Sequence, residues 1–118
     1  MKRLILEIGT GNDLYGEDYT KAANRAVQDA LHHSSLVLFS SLDLPHENMQ
    51  VNVTIGVQEP DKVDTDAVAS TLPRGQAKVS VVKGGLNVVD KDINTVSVIA
   101  TAAVEAYYDI KPEDWQLI

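Results

Sequence analysis

A chain of 118 residues has room for one hydrophobic core, so residues 1–118 read as a single domain. With 44% hydrophobic and 23% charged residues the composition is that of a folded globular protein, and the absence of cysteine excludes disulfides, thiolate catalysis and cysteine metal sites. The net charge of −7, with no basic cluster denser than Lys2-Arg3, argues against nucleic acid or an anionic membrane as partner.

The apolar run after Met1-Lys2-Arg3 covers only residues 4–8 and is interrupted by Glu7. That is too short for a signal peptide or a membrane span, so a cytoplasmic location is the expectation. The run reads instead as a short central strand. Gly9-Thr10-Gly11-Asn12-Asp13-Leu14-Tyr15-Gly16 follows, and three glycines in eight residues predict a loop in which at least one glycine takes a positive φ. The first helix starts near Glu17 or Asp18. Tyr19, Ala22, Ala23, Ala26, Val27, Ala30 and Leu31 form its unbroken apolar stripe, and the alanines suit a close seat on a sheet.

Residues 34–44 fit a short strand or a helical turn before Pro45. Met49, Val51, Val53, Ile55 and Val57 alternate strictly with polar residues, which predicts a half-buried strand. A short helix over about 64–72 stops at Pro73. Ala77, Val79 and Val81 mark a third strand running into Lys83-Gly84-Gly85, with Leu86 to Val89 continuing it after a bend. Residues 93–108 predict a second long helix, although Val96, Val98 and Ile99 leave a strand open at its start. This segment is apolar on more than one flank, and the tail carries Trp115, Leu117 and Ile118. Such surfaces predict a homo-oligomer. The sum is an α/β fold, with α+β as the alternative. Its sheet is small, mixed or parallel, of three to four strands, with two long helices and one short helix on one face.

The glycine-rich loop is the candidate site. A strand–loop–helix junction offers backbone N–H groups to an anion, but Glu7, Asp13, Glu17 and Asp18 would repel a phosphate. Neither a dinucleotide nor a nucleotide motif is met, because position 14 is Leu14 and no Gly-Lys-Ser/Thr follows. The carboxylates suit a divalent cation or a small polar ligand bearing N–H groups. They serve equally as plain turn formers, with Asp13 accepting backbone N–H bonds and Glu17 and Asp18 favouring the helix dipole. The ligand-binding candidates are Gly9, Gly11, Asn12, Asp13, Gly16, Lys83, Gly84 and Gly85; the catalytic candidates are Asp13 and Tyr15. No residues are assigned to a metal. His32-His33 complement a helix C-terminus, His46 is a lone loop histidine, and the serine pairs at 34–35 and 40–41 lack a nucleophile elbow.

The eight-residue motif resembles the Gly-x-Gly-x-Asp-x-His-Gly signature of the Lin-type family of conserved hypothetical proteins. Thr20-Lys21-Ala22-Ala23, residues 53–57, Leu72-Pro73, Gly84-Gly85-Leu86 and Ala102-Ala103-Val104-Glu105 extend the resemblance over nearly the whole chain. It implies no established activity, only that the loop is the functional centre. Tyr15 stands where the pattern has histidine, which removes an Asp-x-His metal or acid–base pair. A fainter likeness, in the first helix and the 49–57 strand, is to a subdomain of ring-opening amidohydrolases. The matching lysine is absent, so it bears on fold alone. Three functions stay open: a ligand-binding homo-oligomer, an enzyme using Asp13 as general base or cation ligand with Tyr15 assisting, and an interaction domain without a small ligand.

Overall fold

The computed structural model describes residues 2–32, 49–72 and 76–108. The 34–44 stretch, His33, His46 and the Trp115 tail lie outside the described residues. Strand β1 (Lys2–Asp13) leads into helix α1 (Tyr19–His32). Strand β2 (Met49–Val57), a 3-10 turn (Pro60–Lys62) and short helix α2 (Thr65–Ala69) follow, then β3 (Gln76–Lys83), β4 (Leu86–Asp90) and β5 (Thr95–Tyr108).

The sheet is mixed. Its order is β1-β5-β2-β3, with β2 and β3 parallel and the other pairs antiparallel. β4 pairs with β5 beyond the end of β2, so that Gly56 opposes Thr101 and Leu86 opposes Ile99 along one side of β5. Both helices pack on one face. There Val51, Val53, Ile55 and Val57 of β2 and Val98, Ala100, Ala102, Val104 and Ala106 of β5 meet Ala22, Ala23, Ala26, Val27 and Ala30 of α1, all buried.

Besides β1, which among the described residues is a twelve-residue edge strand paired with β5 alone rather than a short central one, two expectations are corrected. Residues 93–108 do not form a second long helix: they are β5, the strand on which β1, β2 and β4 all pair, and the sheet has five strands rather than three or four. The apolar flanks that suggested a helix covered on several sides are the two faces of this central strand. Even-numbered residues from Val98 to Ala106 are buried, while Thr101 on the opposite face is exposed. Valine, isoleucine, threonine and tyrosine supply the pleated-surface preference, and hydrogen-bond partners on both edges decide the matter.

The second correction is the glycine loop. β1 runs on to Asp13, so Gly9 and Gly11 are strand residues, and only residues 14–18 connect it to α1. Gly85 is the one described glycine with positive φ; the turn into α1 is made by Glu17, at φ 51°. Gly9 and Gly11 are needed for space. A Cβ on Gly9 would stand 2.9 Å from the Ala30 Cα, and one on Gly11 2.6 Å from the Ala22 carbonyl oxygen. Helix backbone rests directly on strand backbone. Gly11→Ala is therefore predicted to destabilise the chain by about 2 kcal/mol or more, because backbone cannot yield as a side chain would. Urea unfolding followed by circular dichroism measures it, and an unchanged midpoint would contradict the packing role.

Candidate functional site

Asp13 is the one buried charged residue among those described. It lies at the end of β1, and its carboxylate is already occupied. Oδ2 accepts the Asp18 backbone N–H at 2.9 Å, while Oδ1 faces Arg25 at 3.8 Å and Lys21 at 4.0 Å. Gly16 lies against the same group, since a Cβ there would come within 2.7 Å of Oδ2. Asp18 is the helix cap: its carbonyl accepts from Ala22 N–H and its side chain from Lys21 N–H, both at 3.0 Å. The loop is pinned to β5 as well, by the Ser97 hydroxyl donating to the Leu14 carbonyl at 3.3 Å.

The polar side of α1 also reaches the outer edge of β1. Arg25 donates to the Asn12 carbonyl at 2.7 Å, and Asp29 accepts the Thr10 N–H at 3.0 Å. Two side chains thus satisfy backbone groups that an edge strand would otherwise present to another strand. A groove of about 540 Å³ runs beside these residues and includes Asp18, Lys21, Asn24, Arg25 and, at its far end, His32.

Sequence reasoning missed a polar chain at the start of α1. Asn87 of β4 donates to the Tyr19 hydroxyl at 2.8 Å, and that hydroxyl donates to Glu59 Oε2 at 2.7 Å. Lys62 pairs with Glu59 at 3.3 Å and stands 5.5 Å from the centre of the Tyr19 ring. Burial pushes the Tyr19 hydroxyl above its ordinary value, against the hydrogen bond from Asn87. The hydrogen bond from Tyr19, then that from Lys62, hold the Glu59 carboxyl below the usual range. Tyr19 had been readable only as an apolar residue of the stripe, because its partners lie 40 and 68 positions away.

The predicted site residues fall into separate places. Gly9 and Gly11 lie beneath α1, and the Asn12 side chain is exposed on the sheet's other face. Tyr15 is 74% exposed, on the outside of the turn. Lys83 is exposed at the end of β3. Gly84 and Gly85 form the link that carries the chain from β3 across the end of β2 to β4. Gly84 N–H donates to the Val57 carbonyl at 2.9 Å, and the Gln58 amide bonds the Gly84 carbonyl at 3.1 Å. A Cβ on Gly85 would stand 2.8 Å from the Gly56 carbonyl oxygen, and its φ of 61° suits glycine. Asn12 and Leu86 flank Ile99 from opposite sides, so the two glycine regions are two strand spacings apart, roughly 10 Å. Among the described residues, no three acidic or histidine side chains gather where they could hold a metal ion.

The sheet face away from the helices also holds a concave feature. Thr54 and Gly56 of β2, Thr101 and Ala103 of β5, Ile8 of β1, Val82 and Gly84 surround a depression of about 250 Å³. Gly56 was the available signal, since a glycine inside a strand marks close approach of another group. Here that group is the Gly84–Gly85 link. Leu6, Ile8 and Val82 are 45%, 58% and 50% exposed around this face.

The chain belongs to the Lin0512 family of conserved hypothetical proteins, whose model matches residues 3–106. It is similar to an FtsZ-like protein of unknown function from Nostoc punctiforme, known from a crystal structure, with 34% identity and a TM-score of 0.78. The match covers 92% of this chain and 97% of the Nostoc protein. No curated protein matches. These matches lend no support to the likeness to ring-opening amidohydrolases. No helix among the described residues is long and apolar enough to cross a membrane.

Two predictions follow from the loop and the polar chain. Asp13→Ala leaves the Asp18 N–H without its acceptor and removes the anion facing Lys21 and Arg25, so stability should fall by about 1–3 kcal/mol. Urea unfolding reads this directly, and a variant as stable as the parent would contradict the anchoring role. Glu59 titrates below its ordinary value in the folded chain. Its contribution to stability is therefore present above the unfolded value and is lost as pH falls through the lowered one. In Tyr19→Phe, carboxyl-detected NMR should show Glu59 moving back up toward the usual range.

Proposed function

We propose that the protein is a self-assembling domain, a homo-oligomer whose subunits associate through the open face of the sheet. The observation that carries this reading is the exposure of Leu6, Ile8 and Val82 on a face that neither α1 nor α2 covers. Of the apolar residues in 93–108 that suggested assembly, Ile99 and Ala103 of β5 lie on this face, while Val98, Ala102 and Ala106 are buried on the helix side. Three rows (β1, β5, and β2 continued by β4) lie side by side for about eleven residues, a surface of about 500 Å² by ordinary strand spacings. Two copies packed face to face would bury on the order of 1,000 Å², the size at which specific interfaces begin. Catalysis centred on Asp13 is the weaker reading, because both of its oxygens are engaged within the chain.

A second reading keeps a small polar ligand beside the loop. The groove along α1, at about 540 Å³, has the volume of a small-molecule site and carries Lys21 and Arg25. An anionic group is what those two cations would take. A thermal-shift screen of small carboxylates against the parent and the Lys21→Ala, Arg25→Ala double variant tests it: a stabilising compound should lose its effect in the variant.

Light scattering at micromolar protein tests the assembly. The parent should exceed the 12.8 kDa of one chain, and Leu6→Glu with Thr101→Glu should return it to that mass with an unchanged circular dichroism spectrum. A parent that runs as a monomer would overturn the reading.

A further inference from the structure

We infer that the depression beside Gly56 is the socket for Ile8 of a second copy of this chain, in a two-fold, face-to-face pairing of sheets; this rests on assembly through the open face. Among the described side chains of the four-strand path, Ile8 is the most exposed large apolar one, at 58%. The depression is small and mostly apolar or hydroxyl-lined, with Thr54, Gly56, Gly84 and Thr101 around it and no charged residue. At about 250 Å³ it falls below the roughly 300–1,000 Å³ of small-molecule sites, and an aliphatic side chain is the occupant that suits its lining. Its hollow exists because Gly56 has no side chain, and a Cβ there would press on the Thr101 hydroxyl at 2.8 Å.

Register makes the fit reciprocal. Ile8 opposes Ala103 on β5, and Ala103 opposes Thr54 on β2, so Ile8 is one wall of the depression and the Thr54–Gly56 part of its lining lies across the central strand. A two-fold axis lying over β5 and parallel to it exchanges the positions of β1 and β2 between the copies. Each Ile8 then stands above the partner's socket, which is the self-complementarity that an isologous interface requires. Ala103 and Thr101 fall near the axis, where short side chains let two sheets approach to their usual spacing of about 10 Å. The same operation puts β3 outside the partner's β1. Lys78, exposed on the open face of β3, then stays at the rim in water rather than in the interface. Arg3 and Glu105, the charged pair on this face, neutralise each other at 3.2 Å toward the other end.

Isotope-filtered NOE spectra of assemblies mixed from labelled and unlabelled copies report this geometry, because the filter passes only contacts between copies. Within one chain Ile8 and Thr54 lie two strands apart, roughly 10 Å, too far for a methyl–methyl NOE. The Ile8 methyls of one copy should show cross-peaks to the Thr54 methyl of the other. Ile8→Ala should weaken the assembly by light scattering with an unchanged circular dichroism spectrum. A parent that is oligomeric by light scattering, with no filtered cross-peak between Ile8 and Thr54, overturns the socket and leaves the assembly reading standing. A monomeric parent overturns both.

Discussion

Gly9 and Gly11 have no side chains to hold α1 away from β1, and Ala22, Ala26 and Ala30 have almost none to hold it off from the other side. The helix therefore rests backbone against backbone, and much else follows from that separation. At this distance Arg25 and Asp29 reach over the strand edge to the Asn12 carbonyl and the Thr10 N–H. The start of α1 is brought within reach of Asp13, whose carboxylate fixes the loop by accepting the Asp18 N–H. Tyr19, the first residue of α1, meets Asn87 and Glu59 from the far part of the chain. A side chain at either glycine would lift the helix and stretch all of these contacts together.

The second organising feature is the passage from β3 to β4. β3 runs parallel to β2, yet β4 must continue the row that β2 begins along β5. The link crosses the end of β2 at Gly56, and three glycines, Gly56, Gly84 and Gly85, make the crossing close enough to be tied by hydrogen bonds to Val57 and Gln58. Lys83-Gly84-Gly85 is thus explained by topology. The same crossing shapes the depression on the open sheet face, and so joins assembly to this link.

Membership of the Lin0512 family brings no activity with it, and the Nostoc relative is itself of unknown function. The physical content of the acidic loop fills part of that gap. Carboxylates crowded by sequence are separated by the fold: Asp13 turns inward, Asp18 caps α1, and Glu17 takes the left-handed conformation of the turn. Their joint chemistry is the building of a helix start. Tyr15 points outward, and the anchoring of this loop makes no use of its side chain.

Local pattern alone determined α1 and β2, because a stripe at helical period and a strict alternation each admit one regular structure in which the apolar residues share a face. It also placed β3, the bend at Gly84-Gly85 and the cap near Asp18. Residues 95–108 were different. A segment apolar on both flanks is compatible with a well-covered helix or with a central strand, and the choice belongs to hydrogen-bond partners contributed by β1, β2 and β4, remote in sequence. The glycines at 9 and 11 were ambiguous for a related reason. A glycine is equally legible as freedom to turn and as room for a neighbour, and only the arrival of α1 over β1 decided for room.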